Sequence, residues 1–197
     1  MLVKVASSEE SQLRDLHADM DRQISRTDQL RLVDCCYDPR VLSNLSAIAK
    51  SNVVTGYTLA SQLGSRGSDS RGMMISHGFV KKMLYHGDGE DVDHFFQNHS
   101  KTNRVGRVTY KAFATHRNPR MDSSAHLGMS ALLRYSSYGE PIPDFLNPED
   151  YCKRPVFRSA GAYNIQYPGS TQYSNWKKVF AECEIYCSKV THVCRGQ

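Results

Sequence analysis

The sequence lacks any apolar run long enough to cross a membrane, because a spanning helix needs about 18 consecutive apolar residues. Its N-terminus, residues 1–6, lacks the basic segment, apolar run and cleavage site of a secretory signal peptide. It also lacks internal repeats and low-complexity tracts. These absences exclude repeat architectures and favour a soluble, intracellular globular domain.

The cysteines do not follow the patterns of disulfide frameworks or of structural zinc sites. Six cysteines in 197 residues are unlike the dense pairing of short secreted domains. Cys183, Cys187, His192 and Cys194 lie close together in sequence, but their spacings differ from those of paired zinc ligands. A small zinc-binding regulatory domain is therefore only an alternative. We expect reduced, mostly buried cysteines, with no metal and no other cofactor.

Positive charge is concentrated in one segment of the chain. The net charge of +5 and a pI of about 8.9 permit binding to nucleic acid without requiring it. Residues 101–120 contain six Lys or Arg residues and no acid, whereas acidic stretches flank them at 88–93 and 140–150. Strand-forming residues and a turn within this basic segment predict a projecting ribbon. We interpret it as a polyanion-binding segment, with a solvated charged face as the alternative.

Hydrophobic periodicity predicts a mainly α-helical domain with one small antiparallel β-sheet, an α+β class. Ser7-x-x-Glu10 is a capping box that begins a helix over about 8–26, and a second helix follows Thr27-Asp28 and ends at Asp38-Pro39. Strand patterns cover 78–85 and 107–113, with Phe95 and Phe96 in a further strand or bend. No linker is visible, so residues 1–197 form one domain. Further helices are expected over much of 40–63, from Asp69 to Ile75, over 123–138 and over 174–187, with an irregular loop at 139–160 and a short helix or turn carrying His192 and Arg195.

Four basic residues are candidates for one phosphate site. His192 and Arg195 are three residues apart, so on a helix they share a face and can reach the same anion. Arg66 lies in a Gly/Ser loop, where Asp69 can pair with it or cap the next helix, keeping the guanidinium ready for bidentate contact with phosphate. Lys101 lies near the tip of the predicted hairpin, where it can protonate a leaving oxygen or contact a base edge. Taken singly, each is more often an ordinary surface residue.

The ordered set of Arg, hairpin Lys and His-x-x-Arg resembles the catalytic domain of the tyrosine recombinases, or phage integrases. Arg66-Gly-Ser-Asp69 is similar to the first Arg of the family and its following acidic residue, and His99-Ser-Lys101-Thr-Asn103 to its hairpin lysine motif. The resemblance implies that the four basic residues bind the scissile phosphate without metal, that Asp69 supports Arg66, and that Lys101 and His192 assist proton transfer.

Longer motifs resemble a subgroup, the Crypton-type recombinases and the related centromere-binding inner-kinetochore protein of budding yeasts. They include Gly106-Arg-Val-Thr-Tyr110, Leu127-Gly-Met-Ser-Ala-Leu-Leu-Arg-Tyr135 and Gly139-Glu-Pro-Ile-Pro-Asp-Phe145. The resemblance covers about 40–197 and leaves about 1–39 as N-terminal helices or a remnant. It implies a nuclear protein whose partner is double-stranded DNA, with no membrane contact and with scope for a homo-oligomer on DNA. The DNA contacts that it implies are Arg66, Lys101, Arg104, Arg107, Lys111 and Arg195.

The family's nucleophilic Tyr has no counterpart in this sequence. In the family it follows His-x-x-Arg by a few tens of residues, whereas Tyr173 and Tyr186 precede that motif here. A Tyr nucleophile matters because its ester with DNA retains the bond energy needed for rejoining. We therefore expect DNA binding, with strand cleavage and rejoining only if a longer chain supplies the Tyr. A non-catalytic DNA-binding module on the same fold is the alternative.

Overall fold

The computed structural model describes residues 24–63, 70–83, 90–97 and 109–185. Within these ranges the chain is mostly helical with one small antiparallel sheet, which confirms the predicted fold class. None of the helices in these ranges is long and apolar enough to span a membrane. The α-helices are α1 Arg26–Tyr37, α2 Ala47–Leu63, α3 Ser123–Leu132, α4 Pro148–Tyr151 and α5 Gly169–Glu182; the strands are β1 Gly78–Met83, β2 Glu90–Gln97 and β3 Thr109–Phe113; shorter helical turns are Ile75–His77, Pro119–Met121 and Leu133–Ser137.

Helix α2 runs through the centre of the molecule. Ten consecutive residues, 51–60, are buried, and a helix that is buried on every side belongs to the interior. Its polar side chains have partners, as buried polar groups require. The Asn52 amide donates to the carbonyl oxygen of Arg158 at 2.8 Å, and the Thr58 hydroxyl donates to that of Val54 at 3.0 Å.

Two apolar clusters pack against opposite ends of α2 and give the domain its core. The first joins α1, α2 and α5, and the second joins α2 to β3 and to the irregular segment before α5. Their buried members are Leu32, Val33, Cys36, Leu42, Val53, Val54, Tyr57, Trp176, Val179, Phe180, Cys183 and Ile185 in cluster 1, and Leu59, Leu63, Met73, Phe113, Val156, Phe157 and Tyr167 in cluster 2.

The sheet has the order β1-β2-β3, and both pairings are antiparallel. Phe95 lies opposite Gly78 on one side and Lys111 on the other, which confirms a strand around Phe95 and Phe96. Two backbone hydrogen bonds connect the segment before β1 to the irregular region. The amide of Ile75 donates to the carbonyl oxygen of Arg154 at 2.8 Å, and the amide of Val156 donates to that of Met73 at 2.9 Å.

The predicted bounds of two helices were wrong, whereas a third prediction holds. Helix α1 already begins at Arg26, since the hydroxyl of Ser25 accepts the amide of Asp28. The helix expected over much of 40–63 is α2, and it leaves out residues 40–46, where Leu42 adopts a left-handed conformation with φ of 56°. The last helix begins at Gly169 and ends at Glu182 rather than covering 174–187, and Glu184, with φ of 54°, terminates it.

Other predictions hold in part. The 123–138 helix is α3 followed by the turn Leu133–Ser137, and 139–160 is irregular apart from α4. After residue 69, only Ser70 and Arg71 continue the helix expected to reach Ile75. The first predicted helix lies almost entirely outside the described residues.

The described cysteines are free thiols, as expected. Cys36 and Cys183 are buried, and burial raises the pKa of Cys36 to about 12, whereas Cys152 is exposed. Across the ranges that the structure covers, no group of His, Cys, Asp and Glu could hold a metal ion. Cys187 and Cys194 lie outside those ranges, so the zinc alternative stays a prediction.

A buried histidine links α1 to α3. The phenol of Tyr37 lies 2.8 Å from His126 Nδ1, and His126 Nε2 lies 3.0 Å from the carbonyl oxygen of Arg120. A carbonyl can only accept, so Nε2 carries the proton and Nδ1 accepts from Tyr37. Burial lowers the pKa of His126, which favours this neutral form.

The substitution Gly56→Ala should raise the free energy of unfolding by about 1 kcal/mol, because Ala has the higher helix propensity. The added Cβ would meet Phe157, Gln172 and Trp176 at 3.6, 3.7 and 3.8 Å, which are ordinary contact distances. Urea denaturation measures the change. Gly128→Ala in α3 is the control, since its Cβ would meet no atom within 4 Å and gains propensity alone. A less stable Gly56→Ala protein would contradict the packing described around α2.

The stability of the domain should fall as the pH drops below 6.5. The pKa of His126 in the folded state is lower than the ordinary value of 6.5. As the pH falls, the unfolded chain therefore binds the proton first and is stabilised relative to the folded state. Above pH 6.5 His126 is neutral in both the folded and the unfolded state, so its full contribution to the free energy of unfolding is present. Urea denaturation of the wild type and of His126→Gln between pH 5 and pH 7.5 measures the difference. Equal pH slopes for the two proteins would contradict the assignment.

Candidate nucleic-acid interface

Lys111 is the one predicted site residue within the described ranges. The others lie outside them, so their roles remain predictions: Arg66, Asp69, Lys101, Arg104, Arg107, His192 and Arg195.

The described flanks show which elements carry these predicted residues. Residues 64–69 follow Leu63 at the end of α2, residues 98–108 connect β2 to β3, and residues 186–197 follow Ile185. Leu63 packs in cluster 2 with Phe113 of β3, and Ile185 packs in cluster 1. Helix α2 contributes residues to both clusters. It therefore packs with β3 and with Ile185, next to which the other two segments lie.

Lys111 lies on β3, at one edge of the sheet. Side chains alternate along a strand, so Lys111 shares a face with Phe113, which is buried in cluster 2. Lys111 itself is half-buried, whereas Tyr110 on the opposite face is 65% exposed. The aliphatic part of a half-buried lysine can pack against apolar neighbours while its charged end stays nearer the surface.

The end of the basic segment is partly neutralised within the protein. Arg120 forms an ion pair with Asp34 of α1, while Arg117 is exposed. The His116 ring accepts the amide of Asn118 at 3.0 Å and so takes part in the local turn. Arg117 is therefore the more available cation at this end.

A buried carboxylate, that of Glu140, organises the region that follows α3. Gly139 adopts φ of 60°, a conformation that favours glycine, and turns Glu140 back towards the preceding helix. Arg134 then donates from Nε and Nη2 to the two carboxylate oxygens, at 2.9 and 2.6 Å. Its Nη1 donates to the carbonyl oxygens of Pro155 and Val156, at 3.0 and 3.1 Å. This is a bidentate pair that also binds the backbone of a distant segment.

Two further buried arginines converge on the same carboxylate. Arg158 Nε lies 3.1 Å from Glu140 in an ionic contact that lacks hydrogen-bond geometry, and its Nη1 donates to the carbonyl oxygen of Ser159 at 3.0 Å. Arg154 Nη1 lies 3.6 Å from Glu140, and its Nε donates to Asp150 at 2.7 Å. That hydrogen bond lowers the pKa of Asp150.

These three arginines stabilise the fold and do not form part of a phosphate site. Their guanidinium groups are directed inward, to carboxylates and to carbonyl oxygens, and an aromatic ring lies against each of them. Arg154 lies over the ring of Tyr163 with 4.3 Å to the centroid, and Arg158 over that of Tyr138 with 5.6 Å. The sequence analysis missed this network because Glu140, Arg154 and Arg158 lie in a segment expected to be an irregular loop; Arg134 within an apolar helix was the available signal.

The sequence analysis also missed Arg71, which follows the segment that carries Arg66. The Arg71 guanidinium lies against Gly169, the first residue of α5, and its Nη1 is 3.5 Å from Gln172 Oε1. The sequence gives no sign of this contact, since about a hundred residues separate its two sides.

The sequence matches no model of a known protein family, and no curated protein is similar to it. Among solved structures, the chain is similar to the recombinase in "FLP Recombinase-Holliday Junction Complex I", with a TM-score of 0.58 and 15% sequence identity. The similarity covers 99% of this chain and 46% of that one, so this chain spans less than half the length of the recombinase. The fold therefore resembles that of a tyrosine recombinase domain.

The substitution Glu140→Gln should lower the free energy of unfolding by about 3 kcal/mol, because it leaves buried guanidinium groups without their shared charge. Thermal and urea denaturation at neutral pH measure the loss. Glu149→Gln is the matched control, since Glu149 is exposed and forms a surface ion pair with Lys153; its denaturation curve should overlay that of the wild type. If both variants behaved alike, the network would not have the role assigned to it.

Proposed function

We propose that this chain binds double-stranded DNA as the DNA-binding domain of a Crypton-like tyrosine recombinase. The observation that carries the proposal is the similarity of fold, over 99% of the chain, to a recombinase described in complex with a Holliday junction. The ordered motifs of the sequence support the same conclusion independently. The proposal includes a nuclear location and assembly with further copies on DNA.

In this proposal Arg66, Lys101, His192 and Arg195 bind a backbone phosphate. Guanidinium groups suit this task because they contact phosphate oxygens bidentately, and a Lys and a His add charge and proton-transfer capacity. Asp69 orients Arg66. Further phosphate contacts come from the basic segment: Arg104, Arg107 and Lys111.

Strand cleavage is a separate requirement. Basic residues stabilise charge on a phosphate, but cleavage also needs a nucleophile. We propose that cleavage and rejoining occur only if a longer chain supplies a Tyr. Without it, the same phosphate site makes a non-catalytic DNA-binding module.

Fluorescence anisotropy with a labelled duplex tests DNA binding. Affinity should fall steeply with salt, because each neutralised phosphate releases counterions and contributes about 0.9 to the slope of log K against log salt. Arg66→Ala with Arg195→Ala should reduce that slope by about 1.8. Arg31→Ala with Arg40→Ala removes the same charge from arginines already paired with Asp28 and Asp38, and should reduce it less.

Two results would count against the proposal. Equal losses for the two double variants would argue against a site at Arg66 and Arg195. Wild-type protein that fails to bind duplex DNA at low salt would argue against DNA binding itself. A nicking assay on the same duplex reports cleavage separately.

A further inference from the structure

The guanidinium of Arg71 lies beside α5, in space that the missing side chain of Gly169 leaves open. A Cβ at Gly169 would lie 2.6 Å from Arg71 Nη1, so the end of the arginine side chain would have to move aside. The backbone next to this contact has a partner as well, since the side-chain Nε2 of Gln166 donates to the carbonyl oxygen of Arg71 at 2.7 Å. The side chain is half-buried, so its guanidinium is restrained but reaches the surface.

The partner of Arg71 does not neutralise it. Arg134, Arg154 and Arg158 each lie within 4 Å of a carboxylate, whereas the partner of Arg71 within the described residues is the neutral amide oxygen of Gln172 at 3.5 Å. The adjoining end of α5 adds partial positive charge, because a helix dipole is positive at its N-terminus. A guanidinium held in this way is preorganised for an anion.

We infer that Arg71 is a further DNA phosphate contact, which Gly169 keeps in place. The inference rests on the proposed function, because DNA is the polyanion it invokes. Arg71 follows in sequence the segment that carries Arg66 and Asp69, and its guanidinium lies at the start of α5. Arg71 is restrained before DNA arrives, and less side-chain entropy is lost on binding than for a freely moving arginine.

The test compares Arg71→Ala with Gly169→Ala by fluorescence anisotropy on the same duplex over a range of salt concentrations. Loss of one phosphate contact should reduce the salt slope by about 0.9 and weaken binding about eightfold at 0.1 M salt. Gly169→Ala keeps every charge but displaces the guanidinium, so it should weaken binding and reduce the slope, though by less than Arg71→Ala does. The double variant should be no weaker than Arg71→Ala, because both changes remove one contact.

The controls separate a phosphate contact from a structural effect. Gly161→Ala adds a Cβ with no atom within 4 Å and should leave the slope unchanged. Arg71→Lys keeps the charge and should retain much of the slope if phosphate is the partner. Thermal denaturation identifies any variant that fails to fold. If Arg71→Ala does not fold, Arg71→Gln takes its place.

The outcomes distinguish the inference from the proposed function. Wild-type protein that does not bind duplex DNA overturns both. Wild-type protein that binds, together with a folded Arg71→Ala or Arg71→Gln variant of unchanged slope, overturns the role of Arg71 alone. A reduced slope for both single variants, without further loss in the double variant, supports the inference.

Discussion

The carboxylate of Glu140 determines how the irregular part of this domain is arranged. Arg134 approaches it from the helical turn before it, and Arg154 and Arg158 approach it from the irregular segment after α4. A buried charge is costly unless it is matched, so these groups stabilise one another only when all are in place. Because Arg134 also binds the carbonyl oxygens of Pro155 and Val156, the network fixes backbone that has little regular secondary structure of its own.

This constraint extends to the region of the proposed phosphate site. Arg154 and Val156 exchange backbone hydrogen bonds with Met73 and Ile75, and these residues follow Arg71 within a few positions. Through these two backbone hydrogen bonds, the ionic network supports the residues that follow the segment carrying Arg66. Helix α2 supports the same segment from its other end, at Leu63. Buried residues therefore stand on both sides of the segment that carries Arg66, at Leu63 and at Ser70.

The elements with local signals could be predicted from sequence. The small sheet and α2 from Ala47 onward follow from hydrophobic periodicity, and Pro39 marks the end of α1. Features that depend on distant partners could not be predicted: the Glu140 network and the contact between Arg71 and Gly169. The left-handed residue Leu42 also gave no signal, since leucine rarely adopts that conformation. Of the predicted site, Lys111 alone falls within the described residues, so the sequence remains the main argument for it.

The number of basic residues on this chain is a poor guide to its DNA contacts. Arg134, Arg154 and Arg158 are committed to the interior, and Arg120, Arg31 and Arg40 are paired with acids on the surface. The cations proposed to contact phosphate are carried by other segments, next to α2, β3 and the end of cluster 1. Such a site gains affinity from charge and preorganisation, and neither depends on a nucleophile. Phosphate binding and strand cleavage are therefore physically separable on this fold, because fold alone does not supply a reaction.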